Sequence, residues 1–210
     1  MADTRSRILV AARSEFAAEG FAAARLQDIA AGAGIRHPTL LYHFGSKEGL
    51  YAAVIEEAAR DWAAATAEVV TTGLRGVEQV VAVVEAGFAF FAEHRDLVAI
   101  VRREALDGGE RLEPAIGAYM RPLLDAAVRF LRREVEAGQL REHDPVELVQ
   151  LCYGAVLTPF SDAPLRARVL GDGAALDGYR ETLIETLRAL LTPSLSRPER
   201  KGSGSMVARA

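Results

Sequence analysis

The stretch Arg25–Phe44, RLQDIAAGAGIRHPTLLYHF, decides how the rest of the chain is read. It predicts a short helix, a tight glycine turn and a second short helix. In the first helix Leu26, Ile29 and Ala30 share one face at the i, i+3, i+4 spacing of a buried stripe. Gly34 supplies the positive φ of a sharp helix stop, and Gly32 loosens the same turn. The second helix opens at Pro38, whose fixed φ and missing N–H suit a first helical position. Leu40 and Phe44, four apart, point inward; His37, Thr39, Tyr42 and His43 point elsewhere. Two short helices joined in this way make a helix-turn-helix, whose second helix enters the DNA major groove.

Working outward, Asp3 or Thr4 is placed to cap a first helix carrying Ile8, Leu9, Ala12 and Phe16 on one stripe and ending at Gly20. Ser46 caps a fourth helix that runs without a breaker to about Thr72, with Leu50, Val54, Ala58, Trp62 and Val69 along it. A fifth helix follows the break at Gly73 and Gly76 and reaches His94, which reads as a helix-end cap. A short sixth spans Asp96 to Leu106. Here Glu104, with Arg102 and Arg103, could offer polar contacts to a ligand, but reads rather as a solvated face. A seventh helix of about 25 residues holds Pro114 and Pro122, and Pro122 is expected to kink or divide it. Asp144-Pro145-Val146-Glu147 starts an eighth helix, expected to stop before Pro159. Residues 161–178 read as glycine-rich with one helical turn near Leu165, and a ninth helix covers about Asp177 to Leu191. The fold class is all-α, with about nine helices. The expected division is a reading domain over residues 1–46, a ligand-binding and dimerisation domain over 47–192, and a disordered tail over 193–210.

Composition sets the outer bounds. The 210 residues, half of them apolar, suffice for a buried core. No apolar run approaches the length of a membrane span and no basic-then-apolar leader opens the chain, so a cytoplasmic protein without membrane contact is expected. The single Cys152 rules out an internal disulfide. The net charge is −4, but it is unevenly spread: residues 1–50 carry six Lys/Arg against five Asp/Glu, whereas 51–192 carry 15 against 23. The acidity therefore lies outside the helix-turn-helix and need not repel DNA. The four histidines have no carboxylate or cysteine at metal spacing, and no nucleophile elbow, P-loop or Rossmann glycine pattern occurs. No enzyme, metal or cofactor is expected.

The residues Ile8-Leu9, Ala11-Ala12, Phe16, Gly20, Leu26, Asp28-Ile29-Ala30, Ala33-Gly34-Ile35, Thr39-Leu40, His43-Phe44, Ser46-Lys47-Glu48 and Leu50 together resemble the N-terminal domain of the tetracycline-repressor (TetR) family. The resemblance covers about residues 4–54; the remainder is similar in helix number and length alone. It implies a homodimer on a palindromic operator in double-stranded DNA, joined through the last two long helices, and a small ligand bound in the C-terminal domain. It also implies a mechanism in which ligand swings helix four and changes the spacing of the two reading helices. Two positions depart from the family pattern. Ala24-Arg25 stands where a Thr or Ser usually caps the second helix, and Leu41 stands where a Tyr usually follows Thr-Leu.

Candidate DNA contacts are divided by chemistry. Thr39, Tyr42, His43 and Lys47 are assigned to the phosphate backbone, and Arg36, His37, Pro38, Leu41 and Gln27 to base edges. Trp62, Phe88, Phe91, Tyr119, Leu123, Phe130 and Tyr153 are candidates to line a ligand cavity, with plain core packing as the other reading. Because few of these are charged, the expected ligand is small and apolar or aromatic. The expected function is a ligand-responsive transcriptional regulator, a repressor; the alternative is a helical ligand-binding or interaction protein with weakened DNA binding.

Overall fold

Helical periodicity prevails along the chain. The computed structural model describes residues 3–171 and 175–193, and no strand occurs among the described residues. The first three helices are α1 (Thr4–Ala23), α2 (Leu26–Gly32) and α3 (His37–Phe44). They are followed by α4 (Lys47–Val70), α5 (Gly76–Glu93) and α6 (Arg95–Leu106), with bounds close to those the sequence predicts. Asp3 precedes α1 but makes no side-chain cap; its carbonyl accepts from the Arg7 N–H at 3.1 Å. Gly20, at φ 77°, kinks α1 where the sequence places its end. Ser46 caps α4 as expected, accepting from the Gly49 N–H at 3.1 Å. At 24 residues α4 is about 36 Å long, so it spans from the reading helices deep into the second half of the chain.

The two interior prolines behave differently. The predicted seventh helix is divided into a 3-10 turn at Glu110–Leu112, a single turn α7 (Glu113–Ala115), a π turn at Ile116–Met120 and α8 (Arg121–Glu136). The Arg121 N–H reaches back to the Ile116 carbonyl, an i→i+5 bond that widens the helix just before Pro122. Proline 159, in contrast, does not stop its helix: α9 runs Pro145–Ser161, started by Asp144, whose carboxylate accepts from the Val146 and Glu147 N–H groups at 2.8 and 3.0 Å. Proline at 159 lacks the N–H that the Ala155 carbonyl would receive. The Tyr179 hydroxyl, on the final helix, donates to that carbonyl at 2.9 Å and replaces the missing partner. The helix continues because tertiary structure satisfies the one group the proline orphaned.

After α9, Ala163–Leu170 is a full helix, α10, rather than one turn, and α11 (Leu176–Leu191) closes the described chain. The expected tail lies, beyond Pro193, outside the described residues.

Two apolar clusters hold the helices. The first joins Ile8, Leu9, Ala12 and Phe16 of α1 to Ile29, Ala30 and Leu40, and continues through Leu50, Tyr51, Val54 and Ile55 of α4 to Leu97 and Ile100 of α6. The three-helix unit therefore does not stand alone; α4 and α6 complete its core. The second cluster gathers Val84, Phe88, Leu131, Leu140, Leu148, Val156, Leu187 and Leu191 from α5, α8, α9 and α11. Glu134, only 2 % exposed, ties α8 to the start of α5. It accepts from the Gly76 N–H at 2.8 Å and pairs with Arg75 at 3.0 Å.

Candidate nucleic-acid interface and ligand core

The turn between α2 and α3 is built by its backbone. Gly34 sits at φ 67°, its N–H donates to the Ala31 carbonyl at 3.0 Å, and the Ile35 N–H donates to the Ala30 carbonyl at 3.0 Å. This 6→1 and 5→2 pair is a Schellman stop, and Ile35 packs against the first cluster beside it. The chain then enters α3 through Arg36 in extended backbone, with Pro38 second in the helix rather than first. Leu40 is wholly buried and Phe44 half-buried, and these two fix the rotation of α3.

With Leu40 inward, Arg36, Pro38, Thr39, Tyr42 and His43 are exposed, as is Gln27 on α2. Tyr42 is 87 % exposed, its ring edge-on to the neighbouring His43 ring with centroids 5.7 Å apart. His37 and Leu41 are half-buried at the margins of this surface. Lys47, expected to be free for phosphate, is instead tethered: its ammonium donates to the Ala22 carbonyl at 3.0 Å and lies 5.0 Å from the Phe21 ring centroid. One cation went unassigned from the sequence. Arg5 of α1 lies over the Phe44 ring at 5.5 Å, next to the exposed end of α3. Nothing in the local sequence signals this, because Arg5 and Phe44 meet only when α1 and α3 pack. At the start of α2 no side chain caps the helix. Ala24, at the position departing from the family pattern, is buried in the first cluster.

Behind this surface a set of polar contacts fastens α1 and α4 to α6. Arg13 pairs with Asp96 at 2.6 Å and approaches His94 at 3.5 Å. Arg103 donates to the Ala18 carbonyl at 2.9 Å. Glu104 corrects the sequence reading: far from forming a solvated face, it is 2 % exposed. Its carboxylate accepts from the Tyr51 hydroxyl at 3.1 Å and from the Arg111 backbone and guanidinium at 3.1 Å, and Arg111 in turn covers the Phe21 ring at 4.4 Å. Burial first, then the Glu104 charge and hydrogen bond, hold the Tyr51 phenol well above its ordinary value. Arg102 points the other way, to the Thr158 hydroxyl at 3.0 Å. A half-open groove of about 350 Å³ lies at this junction, bordered by Phe16, Phe21, Tyr51, Ile100 and Arg103.

The aromatic candidates fall into different places. Trp62 meets Phe90 and Phe91 with centroids 5.3 and 6.1 Å apart. Phe91 and Phe88 are linked through Phe160, at 6.3 and 5.9 Å, and Phe88 also meets Tyr179 at 6.2 Å. Trp62, Phe88 and Phe91 are thus one group, with Phe90, Phe160 and Tyr179 as members that sequence reasoning missed. Phe160 was hidden by the expected helix stop at Pro159, which put it on a loop. Gly87 lets this group close up: a Cβ there would lie 3.1 Å from Val156 and 3.5 Å from Trp62. Phe130 is half-buried against the second cluster, while Tyr119 packs against the first. Leu123 is half-buried on α8, and Tyr153 is 43 % exposed on α9, away from the aromatic group's interior.

The chain matches the family model for bacterial regulatory proteins of the tetR family over residues 8–54, and the tetracyclin repressor-like C-terminal domain over residues 77–192. The chain belongs to the TetR family. The HTH-type transcriptional repressor AcnR of Corynebacterium glutamicum is 30 % identical, over 86 % of this chain and 89 % of its own. A putative transcriptional regulator of Streptomyces coelicolor, SCO4942, shares the fold at a TM-score of 0.74, with 23 % identity over 91 % of this chain and all of its own. The regulator FadR of Bacillus subtilis, solved in complex with stearoyl-CoA, shares it at 0.69, with 20 % identity over 87 % of this chain and 96 % of its own. This TetR-family chain is a ligand-responsive DNA-binding transcriptional repressor, and its family is one of regulators rather than enzymes. None of its described helices is long and apolar enough to cross a membrane.

Proposed function

We propose that this TetR-family protein works in the cytoplasm as a homodimer whose two α3 helices enter successive major grooves of a palindromic operator, blocking transcription. The reading domain is residues 1–46, and residues 47–192 bind ligand and dimerise. The observation that carries this reading is the pairing of a fully buried Leu40 with a Tyr42 ring that is 87 % exposed. The core fixes α3 so that Arg36, Pro38, Thr39, Tyr42 and His43 face outward together. Arg36, His37, Pro38, Leu41 and Gln27 then meet base edges, and Thr39, Tyr42, His43 and Lys47 meet phosphates, with Arg5 added as a further phosphate contact. Lys47 has to exchange its bond to the Ala22 carbonyl for a phosphate, or share it. The dimer forms through α9 and α11, where Leu151 and Leu190 are exposed apolar side chains. One reading head has a weak basic surface; two heads on one site supply the affinity.

The ligand is small and apolar or aromatic, held where α4, α5 and α9 meet around Trp62, Phe88 and Phe91, with Tyr119, Leu123, Phe130 and Tyr153 as its more distant lining. Support comes from the apolar chemistry of these walls; the Bacillus subtilis regulator FadR, of the same fold, was solved in complex with stearoyl-CoA, whose acyl chain is apolar. Wedging this group apart moves α4 and, through the Glu104 and Arg13 contacts, the reading head. Reading helices in such dimers sit about one DNA turn apart, roughly 34–36 Å, so a shift of a few ångströms loses one half-site. DNase footprinting on the DNA flanking its own gene tests the reading: a protected palindrome at low salt is expected, and none at any protein concentration overturns it.

A further inference from the structure

The aromatic group around Phe88 and Phe91 carries arginines on its outer rings. The Arg95 guanidinium of α6 lies 5.9 Å from the Phe160 ring centroid, and the Arg166 guanidinium of α10 lies 5.0 Å from that of Tyr179 on α11. Phe160 and Tyr179 both adjoin Phe88, at 5.9 and 6.2 Å, so the two cations border one continuous set of rings. A third arginine follows on α6. Arg102, about two turns beyond Arg95, donates to the hydroxyl of Thr158 on α9 at 3.0 Å, two residues before Phe160. The Arg102 Nε is buried and has no hydrogen-bond partner.

Among the described residues, none of these three guanidiniums forms an ion pair. The carboxylates on the same and adjoining elements are engaged elsewhere: Asp96 by Arg13, Glu104 by Arg111 and Asp177 by Arg180, while Asp162 accepts from the Ser161 hydroxyl. Glu93, Asp107 and Glu181 are exposed and pair with none of the three. An aromatic face holds a guanidinium in place but leaves its N–H fork open to a bidentate oxyanion. We propose that the ligand of this site is an anion: an apolar or aromatic body against Phe88, Phe160 and Tyr179, with a carboxylate or phosphate group bound by Arg95 and Arg166 and drawn in by Arg102. This rests on the reading of the aromatic group as the ligand site. A neutral apolar molecule leaves the three arginines unchanged, whereas an oxyanion supplies the acceptors they lack. A few polar groups at the edge of an apolar site are also what fixes a ligand's orientation.

Calorimetric titration of the full chain with octanoate, octyl phosphate and octanol, probes that share one alkyl chain, tests this. Wild type is expected to bind at least one of the two anions at least tenfold more tightly than octanol. The double variant Arg95→Gln/Arg166→Gln should lose that preference with unchanged helical circular dichroism. Tighter binding of octanoate assigns the oxyanion to a carboxylic acid, and tighter binding of octyl phosphate assigns it to a phosphate. Octanol bound as tightly as the anions overturns the proposal and leaves the apolar ligand site standing; no probe bound at millimolar concentration overturns both. An anion preference kept in the double variant overturns the assignment to these arginines. Should the variant fail to fold, phenylglyoxal labelling of wild type, read by peptide mass spectrometry, takes its place. Octanoate or octyl phosphate is then expected to protect Arg95 and Arg166 but not Arg36 of the reading head, and equal labelling with and without either anion overturns the proposal.

Discussion

Glu104 shows how little a side chain's local sequence says about its role. In REALDGG it stands among charged neighbours on a short helix, a setting that suggests solvent. In the fold it is a buried acceptor shared by Tyr51 of α4 and Arg111 beyond the α6 turn. Glu104→Leu is expected to destabilise the protein by about 1–3 kcal/mol, because the Tyr51 hydroxyl loses its partner; urea unfolding measures it. The raised Tyr51 phenol has a signed consequence. Folding favours the protonated phenol, so its contribution is complete below the ordinary value near 10 and is lost progressively as pH rises from there toward the raised value of the folded state. Stability should thus fall more steeply above pH 10 in wild type than in Tyr51→Phe, as urea midpoints across that range will show. Burial also raises the Cys152 thiol to about 11. Its reaction with a disulfide reagent at pH 8 should be slow in the native protein and fast in denaturant.

At the scale of the element, Pro159 and Tyr179 form one unit although 20 residues separate them. Tyr179→Phe should cost about 1 kcal/mol, since the Ala155 carbonyl would then have no donor. In a Pro159→Ala background the helix supplies its own N–H and the same substitution should cost much less. Strict additivity in this double-mutant cycle would show that the hydroxyl does not replace the missing backbone bond. The glycine turn is a second such unit. Gly34→Ala forces a Cβ into φ 67°, a penalty of about 1–2 kcal/mol, and operator binding should fall with it as α3 loses its angle to α2. Elements with local signals were legible in advance: the Ser46 and Asp144 caps, the Gly34 stop and the stripe of Ile8, Ala12 and Phe16 all act within one or two turns. The continuation of α9 through Pro159 was not, because the partner that permits it comes from another helix.

At the scale of the whole molecule, the proposed dimer makes binding depend on the phase of two half-sites. Inserting about five base pairs between them, half a turn of DNA, should abolish tight binding in a gel-shift titration while leaving each half-site intact. Alanine at Lys47 should weaken binding to all sequences and also lower stability, because its ammonium is bonded to Ala22. Changes at Arg36 or His37 should alter preference among operators instead.

By itself the sequence determined the all-helical class, the position of the reading motif, the caps and stops that bound most helices, and the resemblance that the family match upheld. Each of these rests on periodicity or on contacts a few residues apart, and such information is written locally. Only the tertiary structure decided that Glu104 is buried, that Lys47 is tethered, that Arg5 lies beside α3, and that Phe160 joins Phe88 and Phe91. These depend on which helix faces meet, through contacts such as Tyr51 to Glu104 and Arg5 to Phe44 that span tens of residues. A one-dimensional pattern marks which face of a helix is apolar; the packing of several such faces at once selects the neighbour each side chain finds.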